Sequence, residues 1–272
     1  MSVIAAVVVP AAPALLPGIG GAADPLADLR EQAAALVDAT ATAKGASRVV
    51  VIGAGQSTRT RPTDAPSGAA RFTTGLVPDG ALPTDVEIGR LFAPSGGGEL
   101  VLHSIASDAT PQECAQLGRE LADGPSTLLV CVADGPATLT DKAPGHLQPD
   151  AAPFARELAD ALAAGDTPAL AALDPATCDR LWMRGRPALQ VLAAAAHRVC
   201  WARWSPRKPP SACSTCWPAG SEPVVILRTR MTGEGQPGAR NDVRWRYRRR
   251  VTRSGASAAC SGVAPGVAAR AR

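Results

Sequence analysis

The sequence predicts an α/β fold: a mostly parallel or mixed central sheet flanked by helices, with an irregular C-terminal extension. Three observations predict it. Short apolar runs recur at residues 3–9 (VIAAVVV), 48–52 (RVVVI), 100–106 (LVLHSIA) and 126–133 (STLLVCVA). Continuous runs of this kind suit strands buried on both faces. Helix-type segments separate them, which argues for a parallel sheet with crossover connections. Beyond residue 197 both the composition and the periodicity break off.

The elements follow in order. After the first strand, Asp24-Pro25 reads as an N-cap with proline at the first helical position. Behind it Leu26, Leu29, Ala33, Leu36 and Val37 share one helical face, and Gly45 is the stop. The second strand ends at Gly53. Residues 54–84, rich in Gly, Pro, Ser, Thr and Asp, read as one long loop, a feature that is usually functional or mobile. A short helix is expected at 85–92. Thr110-Pro111-Gln112-Glu113 then forms a capping box with proline at the first helical position, and Gly124-Pro125 ends that helix. Past the fourth strand, a polar loop from Asp134-Gly135 leads to helices near 152–164, 168–173, 175–184 and 187–197.

The net charge of +4 conceals an asymmetry. Residues 198–272 hold 14 Arg and one Lys against three acids, a charge of +12, while the first 197 residues carry −8. Four of the five Trp, the only Tyr and four of the seven Cys also fall in this tail. The chain therefore divides into an α/β domain at 1–197 and an Arg/Trp/Cys-rich tail at 198–272. No apolar run approaches the ~18 residues a membrane span needs. No signal-peptide pattern opens the chain, so a cytoplasmic protein is the expectation.

Several motifs invite a chemical reading. GIGGAA (Gly18 to Ala23) has the glycine spacing of a dinucleotide fingerprint. The Pro10–Pro17 segment, however, separates it from the strand, and Gly53-Ala54-Gly55 stands where an acid should close the second strand. The glycines read as a linker turn. Three histidines, His103, His146 and His197, could in principle join a carboxylate around iron, but a packing or surface role suits each better. Cys213-Ser214-Thr215-Cys216 is a single CxxC among prolines, short of the four ligands zinc needs. RWRYRRR (Arg244 to Arg250) interleaves aromatics with arginine and would bind polyanions non-specifically.

Residues 1 to about 197 resemble the LigB-like superfamily of class III extradiol ring-cleavage dioxygenases, and within it an alanine-rich actinobacterial branch. The likeness rests on VPAAPALLPGIGG, RVVVIGAG, LLVCVADGPATLTDKAPGHLQPDAAPF and LAALDPATCDRLWMRGRPALQVLAAAA. Catalytic members hold iron in the loops after the strands. The resemblance places their first histidine ligand at Ala12, their second near Gly55 and an acid–base histidine near Ala137. None of these side chains offers a lone pair, so the resemblance implies a vacated metal site and no resident cofactor. Loops can lose ligands while the core persists.

The tail departs from the family pattern and is expected to be disordered, an unfolded extension or a shifted reading frame. The candidate pocket residues are Ser57, Arg59, Asp134 and Lys142, which carry the reactive groups nearest the strand ends. A metal-free LigB-like protein, non-catalytic or of unknown activity, that binds a small ligand is the favoured expectation. A metal-dependent dioxygenase or related oxidoreductase using other ligands such as His103 and His146, or a nucleic-acid-associated protein acting through its tail, are the alternatives.

Overall fold

The computed structural model describes residues 3–19, 24, 26–94, 98–143 and 145–196, together with the backbone of 224–226. Val3–Val9 (β1) is followed by Ala27–Lys44 (α1), Arg48–Gly55 (β2), Arg59–Arg61 (β3), Thr84–Leu91 (α2), Glu99–Ala106 (β4), Pro111–Ala122 (α3) and Thr127–Val132 (β5). Four helices come next: Ala151–Ala164 (α4), Thr167–Ala171 (α5), Pro175–Arg180 (α6) and Arg186–Ala195 (α7). Val224–Ile226 (β6) pairs in parallel with Ala6–Val8 of β1. The sheet runs β3-β4-β2-β5-β1-β6, parallel except for β3, which lies antiparallel on β4. The α/β class and the mixed sheet are as the sequence predicts.

Every residue of β5 is buried, as a strand covered on both faces requires. Residues of alternate parity divide the core. Val50, Ile52, Leu129 and Cys131 pack with Leu117 of α3 and with Leu189 and Leu192 of α7. Val49, Val51, Leu128 and Val130 pack on the other face with Leu36 and Val37 of α1 and with Val86 and Ile88 of α2.

Two close approaches fix these layers. A Cβ on Gly89 of α2 would lie 2.2 Å from Val51 Cγ1 and 2.9 Å from Val132 Cγ2. A Cβ on Gly118 of α3 would lie 2.5 Å from the Val191 carbonyl oxygen and 2.6 Å from Ala194 Cβ. Each helix thus meets its neighbour where a side chain is missing. Arg186 anchors α7 further: it is 2% exposed and donates to Gln190 Oε1 (2.7 Å) and to the Ala109 carbonyl (2.9 Å).

Three expectations are corrected. Asp24 does not cap α1; the N-cap is Leu26, with no side-chain cap bond. Asp24 instead has φ +35° and accepts from both terminal nitrogens of Arg30 at 2.8 and 3.0 Å, an ion pair that outcompetes the cap. The 54–84 segment is not a single loop, because β3 and a 3-10 turn at Ala69–Phe72 lie within it. The helix expected at 175–184 stops at Arg180, since Trp182 takes φ +55°. By contrast the Thr110 capping box forms in full: Glu113 N–H donates to Thr110 Oγ1 (3.3 Å) and Thr110 N–H to Glu113 Oε2 (2.7 Å). Gly45 closes α1 with φ +63°, a left-handed cap. The GIGGAA glycines beyond Gly18, His197, the CxxC, RWRYRRR and, apart from β6, the expected disorder of the tail lie outside the described residues.

Gly89→Ala tests the α2 contact. Helix propensity alone would gain about 1 kcal/mol. Overpacking against buried Val51 and Val132 costs about 1–3 kcal/mol or more and wins. Urea denaturation is expected to show a net loss of about 1–2 kcal/mol for Gly89→Ala. Gly135→Ala is the control: its nearest contact would be Leu158 Cδ2 at 3.7 Å, and it should stay within about 0.5 kcal/mol of the parent.

Candidate functional site

On the α2 face, β2 presents Val49, Val51, Gly53 and Gly55 in turn, the last two without side chains. The first turn of α2 settles into that gap. A Cβ on Gly53 would lie 2.7 Å from Asp85 Cβ, and one on Gly55 would lie 3.0 Å from both Pro83 Cγ and Ser104 Cβ. The seat carries Asp85 to the strand end, where its Oδ2 accepts from the Ala54 N–H at 3.3 Å. Burial pushes the Asp85 carboxyl up to about 7, and the nearby charge of Asp134 adds to this; the Ala54 N–H and Arg184 oppose it.

A cleft of about 500 Å³ opens beside this turn, at the carboxyl ends of β2 and β4. Its walls include Ser57, Arg59, Arg61, Arg71, Asp85 and Arg184. Open α/β sheets place ligands at this edge. Ser104 of β4 holds the β2–β3 turn there: its hydroxyl donates to the Ser57 carbonyl (2.7 Å) and accepts from Arg61 Nε (2.9 Å). The remainder of the 54–84 segment is stapled by side chains. Glu87 accepts from the Ser67 hydroxyl and from the Gly68 N–H (2.9 Å). Arg71 donates to the Gly68 carbonyl (2.8 Å) and the Leu82 carbonyl (2.9 Å), and Arg90 to the Ala65 carbonyl (2.6 Å).

Of the four candidate pocket residues, Ser57 and Arg59 line the cleft. Asp134 stands at the end of β5, where its Oδ1 accepts from the Ala11 N–H (2.9 Å) and ties β1 to β5. It keeps contact with water, yet the protein around it raises its carboxyl above the ordinary range. Asp134 therefore adjoins Asp85 electrostatically without forming part of the wall. Lys142 is exposed on the loop between β5 and α4 and does not line the cleft.

Among the positions carried over from the family, Gly55 lines the cleft. The Ala12 carbonyl accepts from Leu15 N–H (2.9 Å), and the Ala137 N–H donates to the Leu181 carbonyl (3.1 Å). His103 lies with Val101 and Ile105 on the face covered by α3 and α7; burial lowers its pKa, and its Nδ1 has no hydrogen-bond partner among the described residues. His146 occupies the loop before α4 with φ +54°. Among the described residues no group of three or more His, Cys, Asp or Glu is placed to hold a metal ion.

Arg61, Arg71, Asp85 and Arg184 carry no sequence pattern that marks them as site residues. The usable signal is Gly53-Ala54-Gly55 itself, because a strand ending in glycines on one face marks a close backbone approach. No protein-family model matches the chain, and no curated protein does.

The raised Asp85 carboxyl sets a pH dependence. The folded protein holds a proton up to about pH 7 that the unfolded chain releases near 3.8. The associated stability is present below about pH 4 and falls as pH rises to about 7. Asp85→Asn keeps an acceptor for the Ala54 N–H and removes the titration. Relative to the parent, its stability should rise steadily from pH 4 to 7 and be about 2–4 kcal/mol higher at pH 8, read by urea denaturation at each pH.

Proposed function

We propose that the chain is a LigB-like protein of an alanine-rich actinobacterial branch, cytoplasmic, and that it binds a small molecule in the sheet-edge cleft without iron-dependent ring cleavage. The LigB-like part of this reading rests on the sequence motifs, and the binding part on the composition of the cleft. It stands where α/β folds bind ligands, and among the described residues its walls bear guanidinium, hydroxyl and carboxyl groups but no imidazole. The residues present do not fit an iron centre. The side chains of Ala12, Gly55 and Ala137 carry no donor atom for a metal, and Pro83 and Ser104 pack where a Gly55 side chain would begin. The mixed α/β sheet agrees with the expected fold, though fold alone assigns no activity.

The test is metal analysis and oxygen uptake by full-length protein expressed in iron-supplemented medium. The expected result is substoichiometric iron and no catechol-dependent oxygen consumption. Stoichiometric iron together with oxygen-dependent ring opening of a catechol would restore the dioxygenase reading.

A further inference from the structure

We propose that the cleft binds a doubly charged oxyanion, a phosphate monoester or a dicarboxylate, held by Arg61 with Arg59 and Arg184. The proposal rests on the small-molecule reading of the cleft and names its ligand class.

Arg61 carries the argument. It is 8% exposed, yet no carboxylate of the described residues pairs with it. Its Nε donates to Ser104 Oγ at 2.9 Å and its Nη2 reaches Ser57 Oγ at 3.5 Å. Hydroxyls orient a guanidinium but do not neutralise it. The more deeply buried Arg186 is satisfied by Gln190 Oε1 and two backbone carbonyls, whereas Arg61 meets two hydroxyls and lines the cleft. Arg59 stands two residues away on the same face of β3 and repels it. A strand that buries one arginine and sets a second beside it is stable around a bound anion.

The rest of the cleft agrees. Arg184 joins from the turn before α7, and among the described residues the Arg71 guanidinium donates to the Gly68 and Leu82 carbonyls rather than to a carboxylate. Against these four arginines the lining offers Asp79 and Asp85, so an excess of two positive charges remains even with both acids ionised. A dianion matches that excess, and the planar guanidinium forks suit bidentate contact with carboxylate or phosphate. Val77, Pro78 and Pro83 provide an apolar wall for the organic body of such a ligand.

Titration calorimetry of the full-length chain with inorganic phosphate, succinate and neutral catechol tests the proposal. Saturable one-to-one binding of phosphate or succinate is expected, and the tighter of the two identifies the ligand class. Arg59→Gln and Arg184→Gln change exposed side chains and should each weaken that binding about tenfold, with unchanged circular dichroism. Arg61→Gln should abolish it, and Arg61→Lys should restore part of it. If neither anion binds, or if the anion binds all the arginine variants as it binds the parent, the proposal is overturned. Catechol binding without anion binding would overturn the oxyanion class and leave the small-molecule reading standing; if no probe binds, both fall.

Discussion

The seating of α2 on bare backbone is the constraint on which the site depends. Gly53 of β2 and Gly89 of α2 remove the two side chains that would otherwise hold helix and sheet apart. Interiors pack to crystal-like density, so a missing Cβ on each partner becomes a closer approach rather than a void. That approach brings Asp85 onto the Ala54 N–H and Pro83 against Gly55. It also fixes where the 54–84 segment leaves and rejoins the sheet. A conventional helix-on-sheet spacing would leave Asp85 in water and the cleft without its inner wall.

The opposite face is held by the same physics with different residues. Gly118 lets α3 meet the α7 backbone, and Arg186 ties α7 to the carbonyls of the β4–α3 connection. Gly185, the N-cap of α7, abuts Asp134: a Cβ there would lie 2.7 Å from the Asp134 nitrogen. Arg184 therefore arrives from the α7 side of the sheet, while Asp85 arrives from the α2 side. The cleft draws on both layers because both helices begin at the carboxyl edge of the strands. Its charge balance differs from that of an acidic metal site, since four guanidinium groups and two carboxyls line its wall.

Much of the fold was legible in the sequence. The four parallel core strands show as apolar runs, and the Thr110 box and Gly45 cap act through local bonds that a short window contains. Asp24 misled because its carboxylate, which a cap would use, is captured by the Arg30 guanidinium six residues on, in the first turn of α1. β3 was missed because Arg-Thr-Arg has no apolar signature; the strand forms by pairing with β4, where Ser104 binds the Ser57 carbonyl. Half of the candidate pocket was also legible. Ser57 and Arg59 lie close in sequence to a strand end, whereas Arg184 and Asp85 reach the cleft through helix placement that only tertiary packing decides. The glycines of Gly53-Ala54-Gly55 were read for what they lack; the structure gives them a positive role as the floor on which α2 rests.

The central claim is that this seat buries Asp85 at the strand ends. A ¹³C NMR titration of the Asp85 side-chain carboxyl in the full-length chain tests it most directly. The account predicts a midpoint near 7. A midpoint near 4, the ordinary value for an aspartate in water, would contradict it.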